Sequence, residues 1–329
     1  MKLKKFGFML LMMFLLVSCA QPNDPAENES ALKIYNTIET EGYAFDFAVS
    51  DELLFIAEDQ CGFSIYNFVS GSMYCHIDSL NDGTLYENVR KIAGSADKNV
   101  MIVYDRYGEH ARFDVFNISD LINPLFLISN ISNTSDVQKI VTSKNSDNNA
   151  QFTWTSANSF SIASYDENWS NEVAVDFANS VGGFDFNDEI AVIAAEQSGL
   201  HFVDLATEET LLTYDTIGEA LDVKLVDNYA FVALRQEGFM ILDITDPVHP
   251  VEIHQEDVGE IIYTIDVKDN FMLLSSHSGG VMLYDISDLT EPELAGRLSD
   301  NKIGYTYKAA FAGDYIVAST RVGVVIIEY

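Results

Sequence analysis

The sequence predicts an all-β protein, a seven-bladed β-propeller of four-stranded antiparallel blades, with the ring closed by an N-terminal strand (32–38) that completes the last blade. Three observations predict it. The apolar runs are about six residues long, rich in β-branched and aromatic residues, and separated by turn residues, which is strand rather than helix patterning. A motif of Gly, four mainly apolar residues and then Asp or a substitute recurs along the chain with a period near that of four-stranded propeller blades. The chain also ends at Glu328-Tyr329, directly after what is elsewhere a third strand, while Leu32–Ile38 precedes the first full unit and alternates like a strand. A strand borrowed from the N-terminus would remove two exposed sheet edges.

The clearest unit is 218–250. Leu221–Val226, Tyr229–Leu234 and Phe239–Ile244 read as its first three strands. Asp227-Asn228 tolerates the left-handed turn between the first two, and Gln236-Glu237-Gly238 turns between the next two. Asp246-Pro247 and Pro250 stop the third, because proline cannot donate to a strand ladder. Val251–His254 reads as a short fourth strand. Such a sheet has two faces to bury and needs neighbours like itself. The copies are CGFSIYN (61–67), ARFDVFN (111–117), NSFSIAS (158–164), SGLHFVD (198–204), EGFMILD (237–243), GGVMLYD (279–285) and VGVVIIE (322–328). Their final residues, Asn67, Asn117, Ser164, Asp204, Asp243, Asp285 and Glu328, are 50, 47, 40, 39, 42 and 43 residues apart, so the longer early spacings are read as loop insertions. The Asp is read as a cap on the turn after the third strand, and the Gly as the source of a positive φ.

The N-terminus is organised differently. Lys2, Lys4 and Lys5 precede the apolar run Phe6–Val17, the layout of a secretory signal. A dozen apolar residues fall short of the roughly 20 of a spanning helix. Leu16-Val17-Ser18-Cys19 resembles the lipobox of bacterial lipoproteins. That resemblance implies a signal peptide over 1–18, lipidation of Cys19 and, with Ala20 after it, a place on the outer membrane. Residues 19–31, with two prolines and no apolar periodicity, read as a flexible tether from lipidated Cys19 to a single domain at 32–329.

The formal net charge is −33, and it becomes −36 once 1–18, with three lysines and no acid, are removed. Such a charge excludes nucleic acid as the expected partner and excludes broad contact with anionic headgroups. Beyond Cys19 the cysteines are Cys61 and Cys75, flanking the hairpin Phe63–Phe68 and Ser72–Ile77. An oxidising compartment permits a disulfide between them, but the two positions are not directly opposite in the simplest hairpin, so the pairing stays open.

The segments Ile118-Ser119-Asp120, Ile244-Thr245-Asp246-Pro247 and Ile286-Ser287-Asp288, each followed by a later proline, accompany Phe239–Asp243 and Val281–Asp285. Together they resemble the LVIVD-repeat proteins, a bacterial propeller family of secreted and surface proteins. The resemblance is strong over 180–329 and weak over 44–165. It implies a propeller and brings no common catalytic residues.

The loops between second and third strands are expected on one rim near the channel mouth. They carry Glu58-Asp59-Gln60, Asp105-Arg106-Tyr107, Trp154, Glu196, Arg235, His277 and Arg321. Asp59, Arg106, Tyr107, Trp154, Glu196, Arg235, His277 and Arg321 are therefore the candidate binding rim, since Arg offers a planar fork and Trp a stacking surface. The alternative is local pairing with acids, such as Arg235 with Glu237. Asp46, Asp222, Thr264 and Lys308 are expected to line the channel. No catalytic motif, metal-ligand spacing or cofactor signature is found, so no metal, no cofactor and a monomeric domain are expected. The function read from the sequence is a lipid-anchored binding or scaffold module for a protein or glycan. The competing reading is a hydrolase or lyase at the channel mouth, one version of it calcium-dependent.

Overall fold

The computed structural model describes residues 31–107, 110–132, 136–144, 149–166 and 168–329. The expected signal segment, Cys19 and all but the last residue of the expected tether lie outside them.

Seven four-stranded antiparallel sheets follow one another along the chain. Blade 1 comprises β2 (Asp46–Ser50), β3 (Leu53–Ala57), β4 (Phe63–Asn67) and β5 (Ser72–Ile77). Blade 2 comprises β6 (Val89–Ser95), β7 (Val100–Tyr107), β8 (His110–Asn117) and β9 (Leu125–Ser132). Blade 3 comprises β10 (Lys139–Lys144), β11 (Ala150–Ser156), β12 (Ser159–Asp166) and β13 (Asn168–Asp176). Blade 4 comprises β14 (Phe184–Phe186), β15 (Ile190–Ala194), β16 (Leu200–Asp204) and β17 (Thr210–Tyr214). Blade 5 comprises β18 (Asp222–Val226), β19 (Tyr229–Ala233), β20 (Phe239–Asp243) and β21 (Val251–Glu256). Blade 6 comprises β22 (Thr264–Lys268), β23 (Phe271–Ser276), β24 (Gly280–Asp285) and β25 (Glu293–Leu298). Blade 7 comprises β26 (Thr306–Ala312), β27 (Tyr315–Thr320), β28 (Gly323–Glu328) and β1 (Lys33–Ile38), so the N-terminal strand closes the ring as expected.

The closure is confirmed by a detail of register. In every blade the third and outer strands slip by one residue, so that the ladder register skips Tyr74, Leu127, Glu172, Leu211, Ile253 and Ala295 in blades 1 to 6. Strand β1 bulges in the same way at Tyr35, although it comes from the other end of the chain. A bulge on an outer strand increases its twist and makes the edge a poor template for pairing with another chain.

The apolar core is divided into seven clusters, one between each pair of neighbouring blades. Phe55, Phe63, Met101 and Phe116 fill the space between blades 1 and 2. Ile38, Phe47, Val317 and Ile326 fill the space where blade 7 meets blade 1. A fully buried side chain of this size contributes about 1.5–3 kcal/mol, and both faces of each blade supply such groups.

The structure refines two sequence expectations. Part of the extra length in the early repeats goes into longer strands, since β7, β8, β9 and β12 have 8 residues and β13 has 9. A short helix α1 (Asp300–Ile303), unforeseen in the sequence, precedes β26 and buries Ile303 between blades 6 and 7.

Candidate functional site

The site is the mouth of the central channel, and it is built by the turns between second and third strands. Asp59, Glu196 and Arg235 occupy equivalent places in blades 1, 4 and 5, with φ of 56°, 47° and 48°. Each bridges through its backbone to the residue at the start of the next blade: Asp59 to Val89, Glu196 to Ala220 and Arg235 to Ile262. The Val89 N–H donates to the Asp59 carbonyl (2.9 Å), and the Ile262 N–H to that of Arg235 (2.9 Å). The same kind of link joins the Thr306 N–H to the His277 carbonyl (3.0 Å), whereas the Arg321 N–H donates to the Tyr305 carbonyl within blade 7 (3.1 Å). Backbone groups thus dock blade 1 on 2, 4 on 5, 5 on 6 and 6 on 7, and the side chains are left to vary at the mouth.

Behind these turns lies a cavity of ≈ 540 Å³, bordered by Asp46, Lys91, Lys139, Asp222, Thr264 and Lys308 from the first strands. Its size suits a small ligand. Asp46, Asp222, Thr264 and Lys308 are where the sequence places them, and Lys91 and Lys139 join them. Lys308 Nζ donates to Asp46 Oδ1 (2.7 Å) and Lys139 Nζ to Asp222 Oδ1 (2.8 Å). The other oxygens of Asp46 and Asp222 accept from the backbone N–H of Ile92 and Ile265 in the following blades, each at 3.3 Å. Blade 4 contributes Gly183 at this level, where a Cβ would overlap Asp222 Oδ1, so the missing side chain is what lets Asp222 reach across to Lys139. With both carboxylates engaged and three lysines around them, the throat is poorly suited to a cation, and the calcium reading gains no support from it.

On one side the wall is aromatic. His277 is stacked between Tyr263 (centroids 3.5 Å apart) and Tyr305 (4.6 Å), and the Arg321 guanidinium covers Tyr305 at 4.2 Å. Tyr307 continues the wall to Phe45 (4.5 Å), which the Arg90 guanidinium covers at 3.8 Å. Burial and the Arg321 charge lower the His277 pKa to about 4, so the ring is neutral at pH 7. Tyr43, Ile217, Ile261 and Val322 stand exposed on loops of the same face.

The candidate rim is only partly assembled here. Arg106, Glu196, Arg235 and His277 border the cavity. Asp59 pairs with Arg90 (3.5 Å), and Arg321 stacks on the aromatic column. Arg106 is paired with Asp136 (2.6 Å), while Arg235 pairs with Glu219 and not with its neighbour Glu237. Trp154 is a correction: it lies within β11 rather than on a loop, and its ring packs against Phe113 (5.5 Å) between blades 2 and 3. Tyr107 ends β7, and its side chain lies outside the described residues. Cys61 and Cys75 are free thiols. Cys75 faces Ile65 across the hairpin within the core between blades 1 and 2, where burial raises its pKa to about 11, and Cys61 sits on the preceding turn.

The sequence did not reveal the tyrosines of the wall, which lie in the least regular loops, nor a polar cluster in blade 1. There Ser64 Oγ meets His76 Nδ1 (2.8 Å), with Glu41 3.8 Å from His76 Nε2 and the buried Glu58 3.9 Å from Nδ1. Burial raises the Glu58 pKa. This is not a nucleophile site. Ser64 is 1% exposed and paired in the middle of the sheet with Ile56 and His76, so neither a substrate nor an oxyanion has access to it. Among the described residues no group of His, Cys, Asp and Glu is placed to hold a metal ion.

Comparison with known proteins agrees with the fold. The LVIVD repeat family matches residues 217–257 and 263–300, which are blades 5 and 6. A search of proteins with curated functions finds no match. Similar solved structures include U3-55K (15% identity, TM-score 0.72, covering 91% of this chain and 98% of that one). The WD40 repeats of RRP9 are also similar (15%, TM-score 0.72, 90% and 97%). A third is the β-propeller domain of Cps50 (Swd1) from Myceliophteria thermophila (11%, TM-score 0.71, 91% and 99%). At these identities the likeness is one of fold. The protein is a seven-bladed β-propeller. It carries LVIVD repeats, and the resemblance to that family seen in its strand and turn motifs is borne out.

Proposed function

We propose that the protein is a non-catalytic binding module, tethered by lipidated Cys19 to the outer membrane, that takes a glycan or protein partner at the mouth of its channel. The observation that carries this reading is the wall of Tyr263, His277, Tyr305 and Arg321 beside a recess of ≈ 540 Å³. Aromatic rings and arginines in a concave, partly desolvated setting are the groups that concentrate binding energy. His277 supports binding rather than chemistry: it is neutral, stacked on both faces, and has no nucleophile aligned with it. The neighbouring serines are engaged in the fold, since Ser276 Oγ accepts from the Gly279 N–H (3.1 Å) and Ser275 bonds Thr264.

The test is capture from detergent-solubilised envelope by the purified lipoprotein, comparing wild type with a Tyr305→Ala, Arg321→Ala double variant. The variant is expected to fold and to lose the captured partner. Equal capture by both proteins rules the mouth out as the binding surface.

A further inference from the structure

In a chain with 51 acidic and 18 basic residues, the cavity at the mouth reverses the ratio. Arg90, Lys91, Arg106, Lys139, Arg235 and Lys308 border it, against Asp46, Asp136, Glu196 and Asp222. Five of these six cations have an acidic partner: Arg90 with Asp59, Arg106 with Asp136, Lys139 with Asp222, Arg235 with Glu219 and Lys308 with Asp46. The Lys91 ammonium forms no ion pair or hydrogen bond among the described residues, although its backbone pairs with Tyr104 in the ladder. It sits in blade 2, between Asp46 of blade 1 and Lys139 of blade 3. Two more donors bordering the cavity lack partners there, the buried Tyr104 hydroxyl and Arg235 Nε. Three unpaired donors around one recess are an arrangement for an acceptor-rich, negatively charged group. Burial lowers the Lys91 pKa; Asp46 and Asp222 oppose the shift, and Lys308 and Lys139 add to it. A bound anion would supply the counter-charge that Lys91 lacks.

The rest of the cavity indicates what bears that charge. Phe45, Tyr263 and Tyr307 border it above the lysines, and aromatic faces suit the C–H surfaces of a pyranose ring. A peptide would find little free strand edge here: the first strands are the inner edges of the blades, but their Ile92, Leu225, Ile265 and Phe311 N–H groups already donate to the carboxylates of Asp46, Asp185, Asp222 and Asp266. Building on the reading of the mouth as the binding face, we propose that the throat binds the carboxylate of a uronic-acid residue. Lys91 holds the carboxylate, Lys139 and Lys308 flank it, and the sugar ring lies against the aromatic residues.

Calorimetric titration of the full lipoprotein in detergent at pH 7 tests this, with digalacturonate, its dimethyl ester and a triglutamate peptide as probes. Digalacturonate is expected to bind wild type, with the ester and the peptide at least ten-fold weaker. Lys91→Met is expected to weaken digalacturonate at least ten-fold while leaving the melting temperature unchanged or raised, since it removes an unpaired, desolvated charge. Equal binding of acid and ester, undiminished binding by Lys91→Met, or no digalacturonate binding each overturns the carboxylate site. Preference for the peptide overturns the sugar assignment. None of these outcomes bears on the mouth itself, which is judged separately by envelope capture with the Tyr305 and Arg321 variant.

Discussion

The Asp or Asn that ends five of the seven motif copies shows how little a single residue in this chain needs to do. Asp243 Oδ1 accepts the Thr245 N–H (2.8 Å), Asp285 that of Ser287 (2.8 Å) and Asn117 that of Ser119 (2.9 Å). The sequence reading of this position as a turn cap holds. These bonds lower the Asp243 pKa, so their stabilisation is present above the ordinary carboxylate value and is lost as pH falls through the lowered one. Asp243→Asn keeps the acceptor and is expected to preserve the urea midpoint at pH 7 and to lose less than wild type at pH 3. Asp243→Ala is expected to lower the midpoint already at pH 7. Gly183 is the opposite case, a residue defined by what it lacks. A Cβ there would overlap Asp222 Oδ1 and stand 2.9 Å from Asp222 Cα. Gly183→Ala is expected to cost about 1–3 kcal/mol in urea unfolding, and not additively with Asp222→Ala, because the two residues meet. Lys91, Lys139 and Gly183 were invisible in the sequence for one physical reason. Their place in the ring depends on sevenfold closure, and no Gly-to-Asp motif marks the first strands, in which Lys91 and Lys139 lie and which Gly183 precedes.

Among the elements, β1 carries the most consequence for its length. Its pairing runs from Lys33 opposite Glu328 to Ile38 opposite Val324, and it repeats the bulge of the other outer strands. Alternation in Leu32–Ile38 and the missing fourth strand at the C-terminus made this closure legible in advance. Legibility failed for β11 because its repeat has neither the Gly nor the Asp. Trp154 was therefore assigned to a turn that lies beyond Ser156. Ile38 belongs to the cluster joining blades 7 and 1, whereas Ile34 on the same strand is 45% exposed. Ile38→Ala is expected to cost about 2–4 kcal/mol and Ile34→Ala less than about 0.5. Similar losses in thermal or urea unfolding would mean that β1 is not packed as a closing strand.

At the scale of the whole molecule, seven separate clusters in a closed ring make each blade dependent on two neighbours, so the ring gains stability only when complete. The proposed function rests on two ends of the chain's organisation, the proposed N-terminal anchor and a mouth formed by turns around the ring. The proposed anchor makes a direct prediction: Cys19→Ser moves the protein from the membrane fraction to the soluble fraction on centrifugation, and retention in the membrane would contradict it. The central claim is that the partner is met at the mouth. Val322 stands beside Arg321 on that face, and Val248 lies in a turn after a third strand, at the opposite end of the blades. The most direct measurement is photo-crosslinking in living cells with a photoreactive residue in place of Val322 or of Val248. A partner adduct from position 322 and none from 248 is the expected result; an adduct from 248 alone, or equal adducts from both, would contradict the account.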